Sequence, residues 1–60
     1  MKDLMTVTEV ADMCRTTAHT VYYWLQTGKG PRSMKVGRKR LYRREDVVAW
    51  LESQYTKEAR

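Results

Sequence analysis

Sixty residues allow one small domain with a thin core, since a chain of this size buries only about 60% of its unfolded surface. A single Cys and a single His exclude an internal disulfide framework and a Cys/His zinc site, and no apolar run is long enough to span a membrane. The net charge of +5 is unevenly spread: Lys29 to Arg44 hold eight bases and no acid, whereas the rest of the chain holds four bases and seven acids.

The first periodic segment places Val7, Val10, Ala11 and Cys14 at the i, i+3, i+4, i+7 spacing of a short helix. Thr6 followed by Glu9 fits a capping box, and Met5 with Val10 fits a hydrophobic staple, so both signals put the N-cap at Thr6. Arg15, Thr16 and Thr17 break the stripe. Thr17 is a good N-cap for a second helix from Ala18 to about Gln26, and Gly28 supplies its C-cap. Val21, Trp24 and Leu25 share one face of that helix, while Ala18, His19, Tyr22, Tyr23 and Gln26 fall toward the other. Two short helices separated by a short turn make a helix-turn-helix candidate.

Pro31 keeps Lys29 to Ser33 out of a helix. Met34–Val36 and Arg40–Tyr42 then flank Gly37, Arg38 and Lys39, the pattern of two short strands with a glycine-opened turn. Such a hairpin must pack on the helices, with Arg38, Lys39 and Arg40 carried out at its tip. The last helix is predicted over Arg44 to Ser53, with Glu45 and Asp46 in its first turn and Val47, Trp50 and Leu51 on its apolar stripe. Tyr42 is placed to staple onto Val47. Beyond Ser53 the chain has little to bury, so one domain is expected over residues 1–60, with an ordered core at 4–52 and a frayed tail at 53–60.

The cationic block points to a polyanion, and nucleic acid fits better than a membrane surface, which would call for a strongly apolar opposite helix face. An enzyme is disfavoured: there is no nucleophile with its base, no paired acids and no phosphate-cradling loop, and no cofactor or metal is called for. Trp24 and Trp50 lie on apolar stripes and read as core residues rather than base-stacking platforms.

Four stretches in order, Leu4–Ala11, Thr17–Leu25 with Gly28, Lys35–Lys39 and Arg43–Leu51, resemble the small phage excisionases and the related MerR-like DNA-binding domains. The resemblance runs from about Leu4 to Glu52 and implies a single winged helix-turn-helix domain, mainly α with a small β-hairpin wing. The sequence departs from that pattern at four positions. Arg15 stands where relatives commonly have glycine in the turn, so the turn finds a positive φ elsewhere or is strained by roughly 1 kcal/mol. Ala18 and Tyr23 stand where such domains often place Arg. Tyr42 takes the position of a buried apolar residue, which by strand alternation turns Leu41 outward.

What the resemblance implies is a protein that binds double-stranded DNA, joins further copies of itself head to tail on adjacent sites, bends the DNA and directs phage integrase toward excision. The expected compartment is the cytoplasm of a bacterial host. The recognition helix would present Thr17, Ala18, His19, Thr20, Tyr22 and Tyr23 to the major groove, with Ala18 against a thymine methyl. The wing residues Arg38, Lys39 and Arg40 would enter the adjacent minor groove, and Arg15, Lys29, Arg32, Lys35 and Arg43 would meet phosphates. Five or six such ion contacts predict a log–log salt slope of roughly −5. A small transcriptional regulator on the same domain is the alternative; an RNA-binding or protein-interaction module is a more distant one.

Overall fold

The computed structural model describes residues 3–58. In chain order they form β1 (Leu4–Thr6), α1 (Val7–Met13), α2 (Ala18–Thr27), β2 (Ser33–Val36), β3 (Lys39–Arg43) and α3 (Arg44–Glu58). The three strands make one antiparallel sheet in the order β1-β3-β2. Three helices around a hairpin that closes on a short first strand are a winged helix-turn-helix, with β2 and β3 as the wing.

Local chemistry sets the helix ends. The Thr6 N–H donates to Glu9 Oε1 at 2.8 Å and the Glu9 N–H donates to Thr6 Oγ1 at 3.2 Å, a complete capping box at the start of α1. Thr17 caps α2 by accepting from the Thr20 N–H at 3.3 Å, and Gly28 ends it with φ at 74°. Arg15 is the more costly terminator. It adopts φ 57°, its N–H donates to the Asp12 carbonyl at 3.1 Å, and the Thr16 N–H donates to the Ala11 carbonyl at 2.8 Å. This bond pair is a Schellman motif, which wants glycine at the left-handed position, so the strain anticipated for the turn falls on Arg15 itself.

Each helix sends one fully buried valine inward: Val10 from α1, Val21 from α2 and Val47 from α3. The sheet adds Met5 and Tyr42, and Val7 and Ala11 complete the cluster. Ala18, Trp24, Leu25 and Leu51 pack around it. Trp24 and Trp50 stack obliquely with centroids 4.8 Å apart, tying α2 to α3 at the margin of this core. Trp24 packs against the core as expected, Trp50 meets it through Trp24, and both remain half-buried.

Three features differ from expectation. Leu4–Thr6 forms a strand, paired through Met5↔Tyr42, where the sequence shows only the approach to a helix cap. The hairpin turn is the two residues Gly37 and Arg38, because Val36 pairs with Lys39 and the strands run to Ser33 and Arg43. Gly37, with φ 62°, supplies the left-handed residue that such a tight turn needs. α3 extends to Glu58 rather than ending at Ser53: once nucleated, a helix adds a hydrogen bond for each further residue, and Glu52, Gln54 and Lys57 are good helix formers. Residues 59–60 of the expected tail lie outside the described residues. No described helix is long and apolar enough to cross a membrane.

Strand alternation sorts the wing residues by face. Tyr42 is 1% exposed and points into the core, and Leu41 turns to the other side as expected, where it is half-buried beside its cross-strand neighbour Met34.

Candidate nucleic-acid interface

α2 leaves one side free. Val21 is buried, while His19, Tyr22, Tyr23 and Gln26 are exposed, with both tyrosines 54% accessible. Capping fixes where this side begins, since the Thr17 hydroxyl is engaged with the Thr20 N–H and lies 3.1 Å from the Thr20 hydroxyl. Ala18 departs from the expected surface: it is half-buried and packed against the core. It offers little methyl surface for a thymine.

The wing lies beside this free side. Tyr22, Arg38, Lys39 and Arg40 line one groove together with Thr6 and Thr8 at the start of α1. α2 and the wing tip therefore share a face. A second groove joins it at Arg40, lined by Trp24, Lys29, Gly30 and Arg32 from the end of α2 and the loop that follows. No carboxylate lines either groove. The acids line other surfaces: Glu9 and Asp12 beside Leu4, Asp3 and Glu45 beside Val48, and Asp46 beside Arg32 and Met34. Sign separation of this kind orients the domain toward a polyanion before contact.

The remaining expected contacts scatter. Lys35 pairs with Arg40 in the sheet and so shares its face. Arg15 is exposed in the turn between α1 and α2. Arg43 lines neither of these two grooves: it lies with Arg32, Met34, Leu41 and Asp46 in a third, and its guanidinium pairs with Glu45 at 3.3 Å. Its strand position, two residues from Leu41, puts it on the face away from α2. Thr8 is the residue that sequence reasoning passed over. It lines the groove at the start of α1, and nothing in the α1 periodicity marks it, because that position is simply an exposed one.

The half-buried Cys14 and the buried Tyr42 have shifted ionisations. Burial raises the Cys14 thiol above its ordinary 9.0. Burial also raises the Tyr42 phenol, opposed by Arg40 and reinforced by Cys14 and Tyr22, so the phenol sits within electrostatic reach of both α2 and the wing.

No curated protein and no solved structure matches the chain. A family model described as a helix-turn-helix domain matches residues 4–55, which spans α1, α2, the wing and most of α3. The chain belongs to this helix-turn-helix family, small DNA-binding domains that include excisionase-like proteins, and the partner the family implies is DNA.

Proposed function

We propose that the protein is an excisionase, a recombination directionality factor that binds duplex DNA at attachment sites, bends it and turns a phage integrase toward excision. The DNA-binding part of this reading is carried by one observation: Tyr22 of α2 and Arg38, Lys39 and Arg40 of the wing line one carboxylate-free groove. α2 enters the major groove with His19, Tyr22 and Tyr23 toward base edges, and the wing tip covers the adjacent minor groove. With no arginine on the free side of α2, direct base readout is modest, and the deformability of the site supplies part of the specificity.

The directionality part is supported by the order of the sequence motifs. A domain this small covers too little DNA for tight specificity alone, so copies bind side by side. The wing face away from α2 supports such a contact, with Met34 and Val36 exposed beside Leu41. Repeated head-to-tail contacts would give an open array rather than a closed dimer.

The test combines gel shifts on an attachment region at two salt concentrations with an integrase-dependent excision reaction. Binding should weaken steeply with salt; Arg38→Ala should weaken all sequences alike, and Tyr22→Ala should narrow the gap between specific and random DNA. Stimulation of excision supports the proposal. Occupancy of a promoter operator with no effect on recombination would instead make the protein a small transcriptional regulator.

A further inference from the structure

Arg40 belongs with a different set of residues from its sequence neighbours at the wing tip. It pairs with Lys35 and lies two positions from Tyr42 along β3, so it leaves the sheet on the same face as the buried phenol, the face that meets the helices. Lys39 pairs with Val36 and leaves on the opposite face, and Arg38 sits in the turn. Arg40 alone lines both grooves of the interface, touching the one that contains Tyr22 and the one that contains Trp24, Lys29 and Arg32.

The loop on the other side of that second groove is held firmly. The Lys29 N–H donates to the Trp24 carbonyl at 2.8 Å, Gly30 lies so close to Trp24 that an added Cβ would stand 3.0 Å from the ring and from its Cβ, and Pro31 is buried. Lys29 and Arg32 therefore extend from an anchored backbone. Among the described residues none of the three cations has a salt bridge, and no acid lines the groove they share, although Arg32 also borders a neighbouring groove that holds Asp46. Three like charges around one groove repel one another until an anion neutralises them.

We propose that Lys29, Arg32 and Arg40 form a clamp for one backbone phosphate of duplex DNA, at the sugar-phosphate ridge between the major groove entered by α2 and the minor groove covered by the wing. The inference rests on the DNA-binding reading above and specifies it: Arg40 grips the ridge rather than reading the minor groove. Its guanidinium supplies a forked pair of donors to the phosphate oxygens, and Lys29 adds a point charge. The clamp fixes the register of the helix relative to the wing and carries no base preference.

The test uses the full chain and a duplex selected by it from a random pool. Each phosphate is replaced in turn by a neutral methylphosphonate, and binding is measured for the wild type and for Lys29→Gln, Arg32→Gln, Arg40→Gln and the triple variant. Melting curves confirm that each variant is folded. One linkage should weaken the wild type by about tenfold when neutralised; neutralising that same linkage should cost each single variant less than it costs the wild type, and the triple variant less than about twofold. The triple variant should lower the salt slope by about 1 rather than about 3, because one phosphate is involved. Arg38→Gln should show no coupling to that linkage. Additive losses at three separate linkages, or a slope change near 3, would overturn the clamp while leaving DNA binding intact. A wild-type chain that ignores duplex DNA at low salt would overturn both.

Discussion

Replacing Arg15 by glycine should make the protein more stable and a weaker DNA binder. Arg15 holds φ 57° at the left-handed position of the motif that ends α1, a conformation that costs an L-residue roughly 1–2 kcal/mol. Glycine removes that cost but loosens the unfolded chain, which takes back about 0.4–1 kcal/mol. The net gain is on the order of 0.5–1 kcal/mol, and for a domain of this size about 1 kcal/mol raises the melting temperature by about 4–8 °C. Arg15→Ala is the companion variant, since it keeps the strained backbone and removes only the guanidinium. Thermal melts followed by circular dichroism should therefore place Arg15→Gly a few degrees above wild type and Arg15→Ala close to it. With Arg15 expected on a phosphate, both variants should lose the same increment of affinity, and both salt slopes should shrink by about 0.9. A glycine variant that melts at or below the alanine variant would refute the assignment of strain to this turn. Unequal salt slopes for the two would refute the separation of the backbone role from the charge.

Gly30→Ala should destabilise the domain by at least about 2 kcal/mol, because its Cβ would stand 3.0 Å from Trp24 at a φ of 83°; Gly37→Ala, with open space around it, should cost only about 1 kcal/mol in a urea titration. Thr6→Ala removes the acceptor of the α1 capping box and should cost about 1 kcal/mol by the same titration, whereas a cost near zero would mean that the Glu9 contact alone holds the cap. Both the Cys14 thiol and the Tyr42 phenol are raised by burial, so the folded state favours their neutral forms. Their contribution is full below the ordinary values of 9.0 and 10.0 and is lost as pH climbs through the raised folded values. The melting temperature should therefore fall on the alkaline side, and Tyr42→Phe should flatten that fall; an identical alkaline profile for the variant would contradict the burial argument.

Much of this architecture is written in local signals. Thr6 with Glu9, Thr17 and Gly28 delimit α1 and α2 because caps are chemistry within four residues, and Gly37 marks the turn of the wing for the same reason. β1 is hidden because Leu4, Met5 and Thr6 become a strand only by pairing with Arg43, Tyr42 and Leu41, a contact that no short window of sequence contains. The free side of α2 is legible from its period, apart from Ala18, which packs against the core. The cations are legible as a group but not as a site. The alternation that turns Leu41 outward also turns Arg40 toward the helices and Arg43 away from them, and only the packing of α2 against the sheet gives those directions a meaning. The exposed face of α3 has no such partner, and its length to Glu58 follows from helix propagation rather than from burial.

The most direct measurement is a titration of isotope-labelled protein with duplex DNA, followed by backbone amide shifts at low salt. The largest shifts should fall together on His19, Tyr22 and Tyr23 of α2, on Arg38 and Arg40 of the wing and on Lys29, while Tyr55 and Lys57 at the end of α3 stay in place. Shifts confined to α3, or a response of the wing without α2, would contradict a shared helix-and-wing interface.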